Sequence, residues 1–320
     1  MQMVLNELSS TFPCESVEEG KRVMELFLRM YFQAKAVLGD DTILIDQDYQ
    51  KAELAKGYPV AKWRNDKTID IEIKRRFYRM MNHSITFTTE EFNKEASWLT
   101  GAEFNHCGRD AKGCLIAYER DDLVLSFLSE SCWKCENIEG TYCLLDENGD
   151  IQIEDEDVTV PNVSYEENLL YFKKKYGERI AQLGKTTLKS GQDILKIHGS
   201  VLPNLVFCKN AEKQLENDIG IENVTQVYKK LLEIQKYIIN SDDVFDMNAL
   251  KHASPETDIT LKHYKEEHTF ILPDGRREVF SWHLRFTGPY AGRIFFLPDT
   301  RYKKCYIGHI GHKLPTEKYH

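Results

Sequence analysis

The sequence predicts an α+β protein of several domains, in which a mixed α/β acidic body precedes a small C-terminal antiparallel β-sheet module. Three observations predict this architecture. Up to about residue 240, segments with helical periodicity alternate with short apolar runs. Beyond residue 267, short β-rich runs alternate with turn residues. The sign of the net charge changes near the same place.

Length and composition favour a folded, cytoplasmic protein. The 320 residues suit two or three domains better than one core. No run approaches the roughly 18 apolar residues that crossing a bilayer requires, and the first residues lack a signal-peptide pattern. The eight cysteines are spread along the chain and are expected to be reduced thiols. We therefore expect no membrane partner.

Changes in composition predict three domains. They are an N-terminal mixed α/β domain (1–162), a helical region (163–253) and a basic antiparallel β module (254–320). The second boundary rests on the connector-like run Ser254-Pro255-Glu256-Thr257. Neither an internal repeat nor a low-complexity tract interrupts this division.

The first helix is predicted from its ends as well as its periodicity. The run 17–38 is amphipathic, Ser16 and Glu19 have capping-box spacing, and Gly39 suits a helix stop. A second helix is expected from Thr68 to about Asn82, capped by Asp66 or Thr68.

Other segments have simpler patterns. Residues 113–129 are predicted to form strand, turn and strand, and an Asn-Gly turn is expected near 147–150. Helices are predicted for 165–183, 209–218 and 221–240.

Charge is distributed unevenly. Residues 260–320 hold eleven Lys and Arg against six Asp and Glu, a net +5, and six of the ten histidines. The other residues sum to −14, since the whole chain carries −9. The basic end either attracts an anionic partner or is a solvated surface. The seven acids of 146–157 form either a solvated hairpin or a strip that docks on the basic module and inhibits it.

The C-terminal module is predicted to be a four-stranded antiparallel meander. Its strands are His268–Leu272, Glu278–Phe286, Arg293–Leu297 and Lys303–Ile310, and Pro, Asp and Gly mark the turns between them.

Alternation of side chains assigns faces to these strands. His283 and Arg285 share the face opposite the apolar residues, as either a functional pair or a plain sheet surface. Arg293 is a further cation, or else an edge-strand charge that discourages aggregation. His309 shares a face with Cys305 and Ile307, and is therefore either a core histidine or lies where the strand leaves the core.

The run HLRFTGPYAGRIFFLPDTRYKKCYIGHIGHKL resembles the RelE/ParE toxin superfamily over about the last sixty residues. The overall arrangement resembles uncharacterised bacterial host-defence proteins. Two departures from the toxin pattern are the long acidic body and the helix at 221–240, which would have to replace the family's initial helices. The resemblance implies a toxin-like, metal-independent endoribonuclease, with RNA or the ribosome as its partner and a role in antiviral defence.

Carried over by position, the resemblance implies two sets of functional residues. The catalytic candidates are His283, Arg285, Arg293, His309 and His312. The nucleic-acid-binding candidates are Lys304 and Tyr306, together with Lys303 and Lys313, two further cations of the same run.

The chemistry of RNA cleavage fits these residue types. Attack by a 2′-hydroxyl needs a proton acceptor and a proton donor, and histidine can be either. Arginine stabilises the charge on phosphorus. No metal and no cofactor are expected. The alternative function is that of a non-catalytic nucleic-acid- or protein-binding adaptor or sensor, within a multi-component defence complex.

Two further motifs allow more than one interpretation. Cys132-x-x-Cys135 lies near other possible zinc ligands, although the spacing lacks a second clean pair and the surrounding pattern does not suit a redox motif. A basic cluster around Trp63 is either a nucleic-acid contact or the solvated face of a helix. P-loop, GxGxxG, HExxH and GxSxG motifs are absent from the sequence.

Overall fold

The computed structural model describes residues 1–10, 14–49, 52–87, 101–145, 151–184, 188–219, 224–242, 244–246, 249–250, 253–286 and 292–316. These residues have the predicted α+β composition, including a small C-terminal sheet whose core is antiparallel. They fall into two compact units, one within residues 1–184 and the other within 188–316. The three-domain division remains a prediction.

The first unit is built around a mixed sheet. Its elements are β1 (Met3–Leu5), α1 (Val17–Leu38), β2 (Ile43–Asp46), β3 (Glu53–Ala55), β4 (Tyr58–Pro59), α2 (Val60–Asn65), α3 (Ile71–Asn82), β5 (Ser84–Phe87), β6 (Ala102–His106), β7 (Arg109–Asp110), α4 (Lys112–Arg120), β8 (Leu123–Leu125), β9 (Asn137–Leu145), β10 (Ile151–Val163) and α5 (Glu166–Gly184).

Eight of these strands form one sheet in the order β5-β2-β1-β8-β10-β9-β6-β7. The first five are mutually parallel, and the rest are antiparallel to their neighbours. Strand order reverses between β1 and β8, as it does in doubly wound sheets. The predicted turn at 147–150 lies outside the described residues, while β9 and β10 pair antiparallel on either side of it.

Helix α1 confirms the prediction made from its caps. The Ser16 side chain accepts a hydrogen bond from the backbone N–H of Glu19, and Gly39 adopts a left-handed φ of 69°. Its buried face packs into the core, where Phe27 stacks on Phe127 with ring centroids 4.2 Å apart.

Two local predictions for this unit were wrong. Residues 112–120 form helix α4 where a strand was expected. The helix is buried on most sides, so its sequence lacks the alternation of apolar and polar residues every 3.6 positions that identifies a surface helix. Helix α3 begins after Asp70, whose side chain accepts from the N–H of Glu72. Asp66 instead accepts from the N–H and hydroxyl of Thr68, so these two residues form a turn ahead of the helix.

The second unit carries the C-terminal sheet. Its elements are α6 (Gly191–Val201), β11 (Leu205–Phe207), α7 (Lys209–Glu216), α8 (Val224–Asn240), β12 (Ala253–Pro255), α9 (Asp258–His263), β13 (Thr269–Ile271), β14 (Arg277–Val279), β15 (Trp282–Phe286), β16 (Gly292–Asp299) and β17 (Lys304–His312).

The meander is smaller than predicted and has additional neighbours. Strands β15, β16 and β17 pair antiparallel in sequence order. Strand β12 extends one edge, and β11 adds a parallel strand at the other. The predicted first strand pairs instead with β14 as a separate hairpin, because the run 278–286 is interrupted between Val279 and Trp282.

Candidate functional site

One face of the C-terminal sheet collects most of the predicted catalytic side chains. His283 lies opposite Phe295 on β16 and opposite Ser254 on β12. Arg285 lies opposite Arg293. Since directly paired residues of antiparallel strands project to the same side, these five side chains share a face. We call it the histidine face.

His309 also belongs to the histidine face, contrary to the prediction from strict alternation. Phe295 pairs with His309 and Phe296 pairs with Ile307, so Gly308 is an extra residue in β17. This β-bulge reverses the alternation, and places His309 on the opposite face from Ile307. His309 is buried, as the core alternative expected, but in a different layer.

Three histidine rings surround Phe295. The ring centroids of His268, His283 and His309 lie 5.0, 5.2 and 5.9 Å from that of Phe295. Each of these histidines is at most 7% exposed. Phe270 of β13 and Phe280, the residue after β14, belong to the same cluster. The histidine face is therefore an interior surface lined by polar groups.

His283 has a polar partner at each ring nitrogen. The Oγ of Ser254 lies 2.9 Å from Nε2, and a carboxylate oxygen of Glu256 lies 3.2 Å from Nδ1. The second contact is within ion-pair distance but is not an aligned hydrogen bond in this structure. The side chains of His283 and Glu256 are 9% and 8% exposed.

The protonation states of this pair follow from their surroundings. Burial lowers the pKa of His283 to about 4, against the opposing effect of Glu256, so the imidazole is neutral at pH 7. Burial alone would raise the pKa of Glu256. The contact with His283 and the charge of Arg293 outweigh burial, and the pKa lies below its ordinary value. Glu256 is therefore a buried carboxylate beside a neutral histidine.

His309 is held by contacts at both ring nitrogens. The Nε2 atom lies 2.8 Å from the carbonyl oxygen of His312, and Nδ1 lies 3.0 Å from the amide nitrogen of Gln214. Because a carbonyl only accepts, Nε2 carries the proton and Nδ1 accepts from Gln214. Burial lowers the pKa of His309 to about 4. These contacts fix its ring and leave it uncharged near neutrality.

The two predicted arginines differ in exposure. Arg293 is 6% exposed, and its Nη1 donates to the carbonyl of Gly292 at 3.0 Å. Arg285 is half-buried on the neighbouring strand. Like charges at directly opposed positions repel, so this arrangement favours an anion near the pair. Glu256 supplies one such charge, because Arg293 lowers its pKa.

The remaining predicted residues are placed differently. His312 is exposed at the end of β17, one position beyond Gly311, which pairs with Arg293. Lys304 is exposed, whereas Lys313 is half-buried. The ammonium of Lys303 donates to the carbonyl of Ser241. Tyr306 packs beside the cluster that contains Phe295. Of the four predicted binding residues, Lys304 is exposed and Lys303, Tyr306 and Lys313 are half-buried.

Several residues of the histidine face carry no signal in the sequence. Ser254 and Glu256 stood in a run that resembles a connector, and the three-residue strand β12 is too short to show alternation. His268 lies just before β13 and contacts the carbonyl of Pro315 at 3.2 Å. Gln214 lies on helix α7, and no spacing in the sequence relates it to His309.

The structure also bears on the basic cluster around Trp63 and on possible metal ligands. Trp63 is buried and its ring lies 5.3 Å from that of Phe77, so it is not available to stack on a nucleic-acid base. Among the residues that the structure describes, no group of three or more His, Cys, Asp and Glu side chains is arranged to hold a metal ion.

Comparisons with protein-family models, with curated proteins and with solved structures gave no match to this chain. Within the described ranges, no helix combines the length and the apolar character needed to cross a bilayer.

Proposed function

We propose that this protein is a metal-independent endoribonuclease and that the histidine face carries its chemistry. The observation that supports the proposal is the pair of contacts at His283: a hydroxyl on one ring nitrogen and a buried carboxylate on the other. A histidine oriented in this way is suited to act as a general base.

His283 is 7% exposed, so the proposed reaction requires the residues that cover it to move aside for RNA. Neutral His283 then removes the proton of an RNA 2′-hydroxyl. The 2′-oxygen forms a bond to the adjacent phosphorus, and the bond from phosphorus to the 5′-oxygen breaks. The products are a 2′,3′-cyclic phosphate and a 5′-hydroxyl. Arg285 and Arg293 stabilise the negative charge that builds up on the phosphate oxygens.

The leaving 5′-oxygen needs a proton from a second group. His309 is neutral near pH 7, since burial lowers its pKa to about 4, and both its ring nitrogens have protein partners. His312 pairs with Gly292 and so projects to the face opposite Arg293 and His283; we therefore assign the donor role to water. In this proposal His309 supports the site through its packing against Phe295.

The resemblance of the C-terminal run to RelE-type toxins supports RNA as the substrate. It extends the proposal to a toxin-like effector in bacterial anti-phage defence, acting on messenger RNA at the ribosome. Purified protein should then cut messenger RNA on translating ribosomes more efficiently than the same RNA in solution. Equal cutting in both conditions would remove the ribosome from the proposal and leave the ribonuclease.

The direct test incubates the protein with end-labelled RNA in the presence of EDTA. Cleavage by the wild type should fall at least 100-fold in His283→Asn, which loses the base, and at least 10-fold in Arg285→Gln. The matched controls are His83→Asn, a partly exposed histidine of the other unit, and Arg301→Gln, an exposed arginine of the same unit. Equal activity in His283→Asn and its control would refute the role of His283.

The second candidate is a non-catalytic adaptor that binds nucleic acid or protein. The observation that favours an adaptor over a nuclease is burial: His283, Arg293 and His309 are each at most 7% exposed, which shields these side chains from a substrate. Saturable RNA binding that weakens with salt, with no cleavage at any pH between 5 and 9, would favour the adaptor over the nuclease.

A further inference from the structure

The connector-like run 254–257 supplies the two side chains that contact the ring nitrogens of His283. Ser254 lies on β12 and pairs directly with His283, and Glu256 follows Pro255, the last residue of that strand. Pro255 between them is exposed, so its neighbours face inward. The N–H of Glu256 donates to the carbonyl of Ser281 at 2.7 Å, which fixes the backbone there. The imidazole of His283 is thus placed between the hydroxyl and the carboxylate.

These contacts select one tautomer of His283. The Nδ1 atom lies 3.2 Å from the Glu256 carboxylate without hydrogen-bond alignment, but the negative charge there attracts a proton on Nδ1 and would repel a lone pair, so Nδ1 carries the proton. In a neutral imidazole the other nitrogen, Nε2, is then an acceptor. Ser254 must therefore donate its hydroxyl proton to Nε2 across the 2.9 Å contact.

We propose that Glu256 is the positioning residue of His283, and that the Ser254 hydroxyl holds the place that a substrate hydroxyl takes during the reaction. The proposal rests on the proposed function, because it assigns His283 the part of general base. When RNA binds, its 2′-hydroxyl replaces Ser254 as the donor to Nε2. The proton then passes to Nε2 while the Nδ1–H remains directed at Glu256.

Burial of Glu256 supports this assignment. A carboxylate that is only 8% exposed is expensive to desolvate unless partners compensate for the loss of water. The histidine face supplies them through His283 and Arg293. The pairing of a base with an orienting carboxylate recurs on unrelated folds; here the hydroxyl lies on the edge strand β12 and the carboxylate one residue beyond its end.

The first experiment measures the tautomer of His283 by ¹⁵N NMR in the protein without RNA. The wild type should carry its proton on Nδ1. Glu256→Gln keeps the shape of the side chain but can donate from its amide to Nδ1, which moves the proton to Nε2. A wild-type ring protonated on Nε2, or a ring unaffected by Glu256→Gln, would overturn the positioning role whether or not the protein cleaves RNA.

The second experiment measures RNA cleavage in EDTA for three variants. Glu256→Gln should lower kcat at least 100-fold with little change in KM, because the wrong tautomer cannot accept the proton, and Glu256→Asp should restore part of the loss. Ser254→Ala removes the hydroxyl that RNA must displace from Nε2, so it should lower the KM for RNA by about threefold or more relative to Ser281→Ala, the control at a half-buried serine just before β15. Loss of cleavage in Ser254→Ala alone would overturn the place-holding role and make Ser254 the nucleophile.

The NMR and cleavage experiments together distinguish failure of the positioning role of Glu256 from failure of the proposed ribonuclease function. A correct tautomer in a wild-type protein that does not cleave RNA would refute the proposed function and the role of Ser254, while Glu256 would still orient His283. Thermal unfolding of each variant distinguishes a loss of chemistry from a loss of fold, since Gln at position 256 and Ala at position 254 preserve or reduce side-chain volume.

Discussion

His309 lies directly across from Phe295, although Ile307, two residues earlier on the same strand, faces the other side of the sheet. The extra residue Gly308 causes this reversal, and it brings a third histidine to the face that holds His283 and Arg293. The presence of His309 on the histidine face therefore depends on the extra residue Gly308.

Substitution of Gly308 should destabilise the second unit. A Cβ at this position would lie 2.5 Å from a ring atom of Phe270 and 2.9 Å from one of Phe280. Gly308→Ala should lower the free energy of unfolding by about 1–3 kcal/mol, because these rings are packed in the core and must move. Gly199→Ala is the control, since nothing lies within 4 Å of its added Cβ. Urea denaturation that gives the same stability for both variants would contradict the account of the bulge.

Gln214 should control the charge state of His309. Its amide nitrogen contacts Nδ1 of His309 at 3.0 Å, and its amide oxygen accepts from the N–H of Ile310 at 2.8 Å. In Gln214→Glu a carboxylate faces Nδ1, which favours the protonated ring. The pKa of His309 should then rise from about 4 by about one pH unit or more.

NMR titration of the histidine ring measures this change. Gln235→Glu is the matched control, because Gln235 is a buried glutamine of the same unit whose side chain bonds Asn204 instead. An unchanged pKa of His309 in Gln214→Glu would show that the contact with Gln214 does not act on the ring.

Glu7 should make the stability of the first unit depend on pH. Burial raises its pKa to about 7, although the N–H groups of Lys112 and Gly113 donate to its carboxylate at 2.7 and 2.9 Å. A carboxyl whose pKa is higher in the folded than in the unfolded state stabilises the fold at low pH. That contribution is complete below about pH 4.5 and is lost as the pH rises through about 7.

The measurement compares wild type with Glu7→Gln by urea denaturation between pH 4.5 and 8. As the pH rises, the wild type should lose about 1–3 kcal/mol of unfolding free energy relative to Glu7→Gln. Other titrating groups cancel in this difference. A constant difference across the range would contradict the raised pKa.

Gly113 should be intolerant of any side chain. A Cβ there would lie 2.2 Å from the carbonyl oxygen of Leu5 and 2.7 Å from the Glu7 carboxylate. Gly113→Ala should therefore separate the start of α4 from the end of β1 and lower the melting temperature by several degrees. Gly177→Ala, in helix α5 with nothing within 4 Å, is expected to change it little. Similar melting temperatures for the two variants would contradict the close packing.

The sequence predicted well those features that depend on local signals. The boundaries of α1 follow from Ser16, Glu19 and Gly39, whose roles are set by residues within one helical turn. The shared face of His283 and Arg285 follows from simple alternation, which β15 obeys. Local chemistry was sufficient in both cases.

Features that depend on distant contacts were not predictable from those signals. Helix α4 is buried on most sides, so its sequence shows no helical alternation of apolar and polar residues. The bulge at Gly308 is defined by the pairing of β16 with β17, which the sequence of β17 does not contain. The inward direction of Glu256 depends on the pairing of β12 with β15. Each of these is set by residues far away in the sequence.

The chemistry of the RNA ends tests the central claim most directly. The wild-type protein is incubated with a defined RNA in EDTA, and the new ends are identified by mass spectrometry. The account predicts 2′,3′-cyclic phosphate and 5′-hydroxyl ends, and no cutting where the nucleotide before the scissile phosphate carries a 2′-O-methyl group. Intact RNA after incubation with folded protein, or cleavage that persists at the 2′-O-methylated position, would contradict the account.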